Sequence, residues 1–279
     1  MIGEDMGSAA ATEKAISSAL DIINSAIGNH SLLSEFEHAR LMKLLDSMQR
    51  KNNNSAEFHL LAACYYSLIS DVDNLIYHAN RVIDKSTVDG RIFGNEIIVD
   101  NAIIALSNSL MVREVYRFMK KYYLLNDALD EFMSRLFMGT SLLMNDLSSY
   151  TRFRDRYKGN LADDAIYRMN MLHDFFYKNE RSGDIISNYI CDVFEIISRK
   201  ISKKATSILS IPQVSDYIFE IHNDDGYEFV SISFLFPHDS SADIVFDLED
   251  EMLRLISHLD YPNEIKTKIS FDFTINNEG

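Results

Sequence analysis

From Glu13 to about Ile208, apolar residues recur at steps of three and four, the spacing of one buried helix face. The pattern predicts helices over about 13–27, 32–49, 55–69, 95–108, 110–123, 127–143, 145–157, 161–178 and 184–206. Between the third and fourth of these, Leu75, Ile76, Ala79, Val82 and Ile83 form one more helical stripe. The punctuation agrees with this division. Gly28-Asn29, Gly159 and Gly183 read as stops, a loop holds Gly90 and Gly94, and Asn126 and Asn160 are cap candidates. Ser31 or Ser34 opens the second block, and Asn54 with Glu57 has capping-box spacing, which starts a helix near Ser55.

The last quarter changes period. Tyr217, Phe219 and Ile221 alternate with Ile218, Glu220 and His222, and Asp224-Asp225-Gly226 supplies a tight turn. Val230, Ile232, Phe234 and Phe236 then alternate with Ser231, Ser233 and Leu235. Ser240 or Ser241 caps a helix with the stripe Val245, Leu248, Met252, Leu255 and Leu259, which Pro262 ends. Ile269, Phe271, Phe273 and Ile275 complete a half-buried strand. The order ββαβ implies a three-stranded sheet with one helix on its apolar face. So small a core must lean on the helices, a second copy or a partner, and pairing of sheet edges across a two-fold axis would cover one edge and give a homodimer.

The helices hint at repetition. Tyr77, Tyr116 and Tyr150 each follow a Ser-Leu pair (Ser67-Leu68, Ser109-Leu110, Ser141-Leu142) at intervals expected of helix–turn–helix repeats. The stretch Leu61-Ala62-Ala63-Cys64-Tyr65-Tyr66-Ser67-Leu68, followed by Asp73 to Asp84, resembles the tetratricopeptide repeat, with Ala62 at its small position and Tyr65 at its aromatic one. That resemblance implies a curved array of antiparallel helix pairs whose first helices line a concave surface for a peptide or protein segment. It implies no chemistry. The family's peptide-carboxylate clamp of paired Asn and Lys is not found in matching helices.

Composition sharpens this picture. The chain has 279 residues, 47 % hydrophobic and 25 % charged, with ten Gly, three Pro and no Trp, which favours long helices over a turn-rich β fold. No apolar run reaches the length of a membrane span, and the N-terminus lacks a signal pattern, so a soluble, cytoplasmic protein is expected. Cys64 and Cys191 lie inside apolar helical patterns, where a thiol acts as a small hydrophobe. Residues 211–279 hold 15 acidic and 3 basic side chains, against 27 and 24 in residues 1–210. The last segment should repel nucleic acid and attract a basic partner.

Catalytic signatures are lacking. Glu35-x-x-His38 stands alone where a di-metal site needs a second copy, and no zinc, EF-hand or nucleotide-binding motif occurs, so neither metal nor cofactor is expected. Glu220, His222, Ser231, Ser233, Ser270 and Asp272 share the polar face of the sheet, read as the wet face of an antiparallel sheet rather than a relay. Basic residues crowd three helices: Arg113, Arg117, Lys120 and Lys121; Arg152, Arg154, Arg156 and Lys158; and Arg199, Lys200, Lys203 and Lys204. Some of these cations answer the helix macrodipole, and the rest could dock the acidic segment or an acidic partner.

The sequence thus predicts a mainly α protein with a helix-pair, tetratricopeptide-like domain over 1–207 and an acidic ββαβ domain over 208–279. Its expected role is capture of a protein or peptide partner, as an adaptor, chaperone-like holder or regulatory inhibitor rather than an enzyme. Contacts are expected at Tyr65, Tyr66, Arg113, Arg117, Arg152, Arg154 and Arg156 on the helices and at Asp243, Asp247, Asp250 and Glu251 on the acidic segment. A nucleic-acid-mimicking inhibitor of a DNA- or RNA-binding protein is the alternative, and an enzyme of unrecognised type a further one.

Overall fold

A computed structural model describes residues 17–25, 33–52, 54–88, 91–92, 96–122, 131–157, 163–204, 216–224, 226–236 and 240–275. The expectations at Gly28-Asn29, Ser31, Gly90, Gly94, Asn126, Gly159 and Asn160 lie outside these residues. Within them the chain is mainly helical, with a small three-stranded mixed sheet near the C-terminus. Chain contacts divide it into two units, Met1–Ser109 with Ile201–Ile211, and Leu110–Lys200 with Pro212–Gly279.

The first unit holds α1 (17–25), α2 (Glu35–Asn52), α3 (Ala56–Leu68), α4 (Val72–Ser86) and α5 (Glu96–Asn108), with a minimal pair β1 (Thr87–Val88) and β2 (Arg91–Ile92) after α4. Ser34 opens α2 as a reciprocal capping box: the Glu37 N–H donates to Ser34 Oγ at 3.2 Å and the Ser34 N–H to Glu37 Oε2 at 2.9 Å. The cap of α3 is Ser55, not Asn54. Ser55 has extended backbone and its hydroxyl accepts the Phe58 N–H at 3.1 Å, whereas Asn54 Oδ1 accepts from Lys85 Nζ. α3 is buried along Phe58–Tyr65 because α2, α4 and α5 all pack on it, and α4 contributes Val72, Leu75, Ala79, Val82 and Ile83. Each large side chain so buried stabilises the fold by about 1.5–3 kcal/mol.

The second unit holds α6 (Val112–Tyr122), α7 (Glu131–Leu143), α8 (Leu147–Arg156), α9 (Asp163–Lys178) and, as far as Lys200, α10 (Gly183–Lys204). It continues with β3 (Asp216–Asp224), β4 (Tyr227–Phe236), α11 (Ala242–Ser257), α12 (Asn263–Lys266) and β5 (Ile269–Ile275). Gly183 begins α10 rather than stopping its predecessor; a Cβ there would come within 2.6 Å of the Asn145 side chain, so glycine permits this approach. α11 closes at Ser257, before Pro262, because the N–H groups of His258 and Leu259 turn tightly onto Leu255 and Ile256; Pro262 instead leads into α12.

The strand order is β3-β4-β5. β3 and β4 are antiparallel, with Asp224 paired to Tyr227, and Gly226 just before Tyr227 has φ 84°. β4 and β5 are parallel, so the sheet is mixed rather than antiparallel as expected, because the intervening helix returns the chain to the same end. Val230, Ile232, Phe234 and Phe236 share one buried face with Ile269, Phe271 and Phe273. The ββαβ segment leans on α10: Phe194 meets Tyr217 and Phe234 edge-on, and Tyr189 meets Phe271 and Tyr261.

One device recurs along the helices. α3, α5 and α7 each have 13 residues. Two residues after each stands a left-handed residue, Ser70 (φ 54°), Leu110 (φ 60°) or Asn145 (φ 54°), and two residues later the next helix begins. At Ser70 and Asn145 the turn closes by bonds characteristic of a Schellman end, Asp71 N–H to Tyr66 O at 2.9 Å and Asp146 N–H to Ser141 O at 2.8 Å.

Candidate functional site

In the first unit, sequential helices place three histidines among aromatic rings. His59 and His78 bring their Nδ1 atoms to 2.8 Å, a contact in which one neutral imidazole donates and the other accepts. Phe58 and Tyr77 meet both rings, and Tyr66 stacks on His78. Burial, then the neighbouring His59, pushes the His78 imidazole down to about 4. His59 is lowered as well, by burial and then by Lys85 and Arg81. Tyr65, only 2 % exposed, stacks on His38 with its hydroxyl 3.1 Å from His38 Nδ1, and burial raises that hydroxyl to about 12. Burial thus favours the neutral forms of His59, His78 and Tyr65, which suits a polar core.

In the second unit, most of the described basic side chains singled out by sequence are engaged within the chain. Arg113 pairs with Asp192 at 2.8 Å and Glu195 at 3.5 Å, and Arg117 with Glu114 at 2.5 Å. Arg154 donates to Asn170 Oδ1 at 3.1 Å and lies over the Tyr150 ring. Arg152 is exposed, and the Arg156 side chain lies outside the described residues. Asp146 gathers Tyr116, Lys120, Ser148 and Ser149. Burial opposes its ionisation, but the hydrogen bonds from Lys120, Ser149 and Tyr116 outweigh that and hold its carboxyl well below the usual range.

The acidic residues divide. Glu251 is paired with Lys200, and on a neighbouring strand Glu228 binds Lys178 at 2.8 Å. Asp243, Asp247 and Asp250 are exposed on α11, whose inner stripe Val245, Leu248, Met252 and Ile256 is buried. On the same outer side Phe246 is 60 % and Leu253 38 % exposed, two apolar side chains seven residues apart amid carboxylates.

An open cavity of about 350 Å³ runs between α9 and β3, lined by Tyr167, Arg168, Met171, Phe219, Glu220, Ile221 and His222. Tyr167 is 61 % exposed. On the polar sheet face Ser233 donates to Asp272 at 2.9 Å, while His222 stacks on Phe229 and faces Glu220 at 3.8 Å, so hydroxyl, imidazole and carboxylate are not brought into a relay. Among the described residues no three His, Cys, Asp or Glu side chains are placed to hold a metal ion, and no helix is long and apolar enough to cross a membrane.

Sequence reasoning missed the His59 and His78 pair and the groove beside β3. Two histidines nineteen residues apart on successive helices were a readable signal for the first; the second depends on tertiary packing. Comparison with protein-family models, with curated proteins and with solved structures finds no match.

Proposed function

We propose that the chain is a protein-binding module whose helix α11 docks a basic, amphipathic segment of another protein. The observation that carries this reading is the outer side of α11, where Phe246 and Leu253 stand exposed among Asp243, Asp247 and Asp250. Two exposed apolar side chains two helical turns apart offer a contact strip, and the surrounding carboxylates select a cationic partner and speed its approach. Arg113, Arg117 and Arg154 are occupied within the chain and leave α11 as the stronger surface. The helices supply the scaffold, which we read as a tetratricopeptide-like array; equal 13-residue helices with the same left-handed turn support that reading.

The test is affinity capture from host extract with the whole chain and with a variant combining Phe246→Ala, Asp243→Asn, Asp247→Asn and Asp250→Asn, quantified by mass spectrometry. A stoichiometric basic protein held by the parent chain, shed by the variant and weakened by raised salt is the expected result. Identical capture by both chains would refute the α11 surface.

A further inference from the structure

β3 is an edge of the sheet: among the described residues, no strand lies beyond it. The phase of its hydrogen bonding can be read from the other side of β4. The Val230 N–H donates to Lys268 O at 2.9 Å, toward β5, so Val230 does not use that group on Ile221, its partner in β3. Val230 and Ile221 are therefore a non-hydrogen-bonded pair, and the main-chain N–H and C=O of Ile221 point outward. By alternation those of Phe219 and Asn223 point outward too. α9 packs against β3, and the open cavity between them is lined by Phe219 and Ile221.

Side chains along this edge carry a self-complementary pattern. Glu220 and His222 lie on the polar face, with Ile221 between them on the other face. An antiparallel strand is best matched when it sets an acid opposite His222, an apolar residue opposite Ile221 and a base opposite Glu220. Read in its own direction, such a strand is acid, apolar, base, and Glu220-Ile221-His222 has that order.

We propose that β3 is the interface between two copies of this chain, paired antiparallel about a two-fold axis at Ile221 to make one continuous six-stranded sheet. In this register Ile221 faces Ile221 of the second copy, and each Glu220 faces the other copy's His222. Centring the pairing on Glu220 or on His222 instead sets like side chains against each other. Exposed Tyr167 and the apolar wall of Met171 and Phe219 border the edge and become covered. The proposal uses no residue of α11 and stands or falls separately from the function proposed above.

The experiment joins light scattering over a concentration series with cysteine cross-linking, both on the whole chain. Residues in a narrow antiparallel pair have Cα atoms about 5.5 Å apart, within disulfide range, so Ile221→Cys should yield a disulfide-linked dimer under mild oxidation. Phe219→Cys and the parent chain, whose own two cysteines are buried, should not. Glu220→Arg alters an exposed side chain, so the fold should survive; it sets cation against His222 twice per dimer and should raise the dimer dissociation constant about tenfold. Glu220→His with His222→Glu should restore it. A chain that is monomeric throughout, a dimer indifferent to Glu220→Arg, or cross-linking through position 219 instead of 221 would overturn the proposal. A monomer that instead binds a synthetic peptide of acid–apolar–base pattern would also overturn it and assign the edge to a foreign strand.

Discussion

On α6, Arg113 reaches Asp192 and Lys120 reaches Asp146, so both cations are spent on the chain's own packing. On α11, Asp243, Asp247 and Asp250 face solvent beside an exposed phenylalanine. Both helices look alike in sequence, each an apolar stripe opposite a run of one charge. What separates them is whether a neighbouring element offers the opposite charge at the right height. Charge answered inside the chain belongs to stability, and charge left at the surface is available to a partner.

The sharpest break in this contrast comes from Asp146. Asp146→Ala removes the cap of α8 and strands Tyr116 and Lys120, which should cost about 2–3 kcal/mol, read as a lower denaturation midpoint. Acidification probes the first unit. His78 is neutral in the fold, with its pKa held near 4, while the unfolded chain takes up a proton below about 6.5. Its contribution is full above pH 6.5 and is lost as pH falls toward 4. After allowance for solvent screening, the loss should be on the order of 1 kcal/mol at pH 5, and a His78→Gln variant should show a flatter profile in thermal melts from pH 7 to 5. Ser70→Gly relieves a left-handed backbone at an L-residue and should raise stability by about 0.5–1 kcal/mol, a shift of a few degrees in Tm. Smallest of all, Asp243→Asn, Asp247→Asn and Asp250→Asn together should move stability by less than about 0.5 kcal/mol, because these side chains are exposed. A large loss of stability there would erase the distinction between α6 and α11.

The helices were legible because their apolar residues recur with one period and their ends carry serine caps, as at Ser34 and Ser55. The direction of β5 was not, since alternation records which face is buried and says nothing of chain polarity. Nor does sequence announce that Leu110 takes a left-handed conformation; a buried leucine is an unusual turn residue, and surrounding packing holds it there. Of the expected contact residues, Tyr65 reads as an aromatic recognition position but spends its ring and hydroxyl on His38. Such engagement depends on what the next helix presents, which no local pattern carries.

The shared turn after α3, α5 and α7 also limits how this chain can change length. With the turn and the helix start held in place, one residue inserted between a left-handed position and the following helix rotates every later side chain of that helix by about 100° and turns its apolar stripe away from the core. Such an insertion in a turn is therefore a severe lesion despite its surface location. Removal or duplication of a whole helix–turn–helix segment leaves the phase of its neighbours intact, so viable length variants of this region should differ by entire segments.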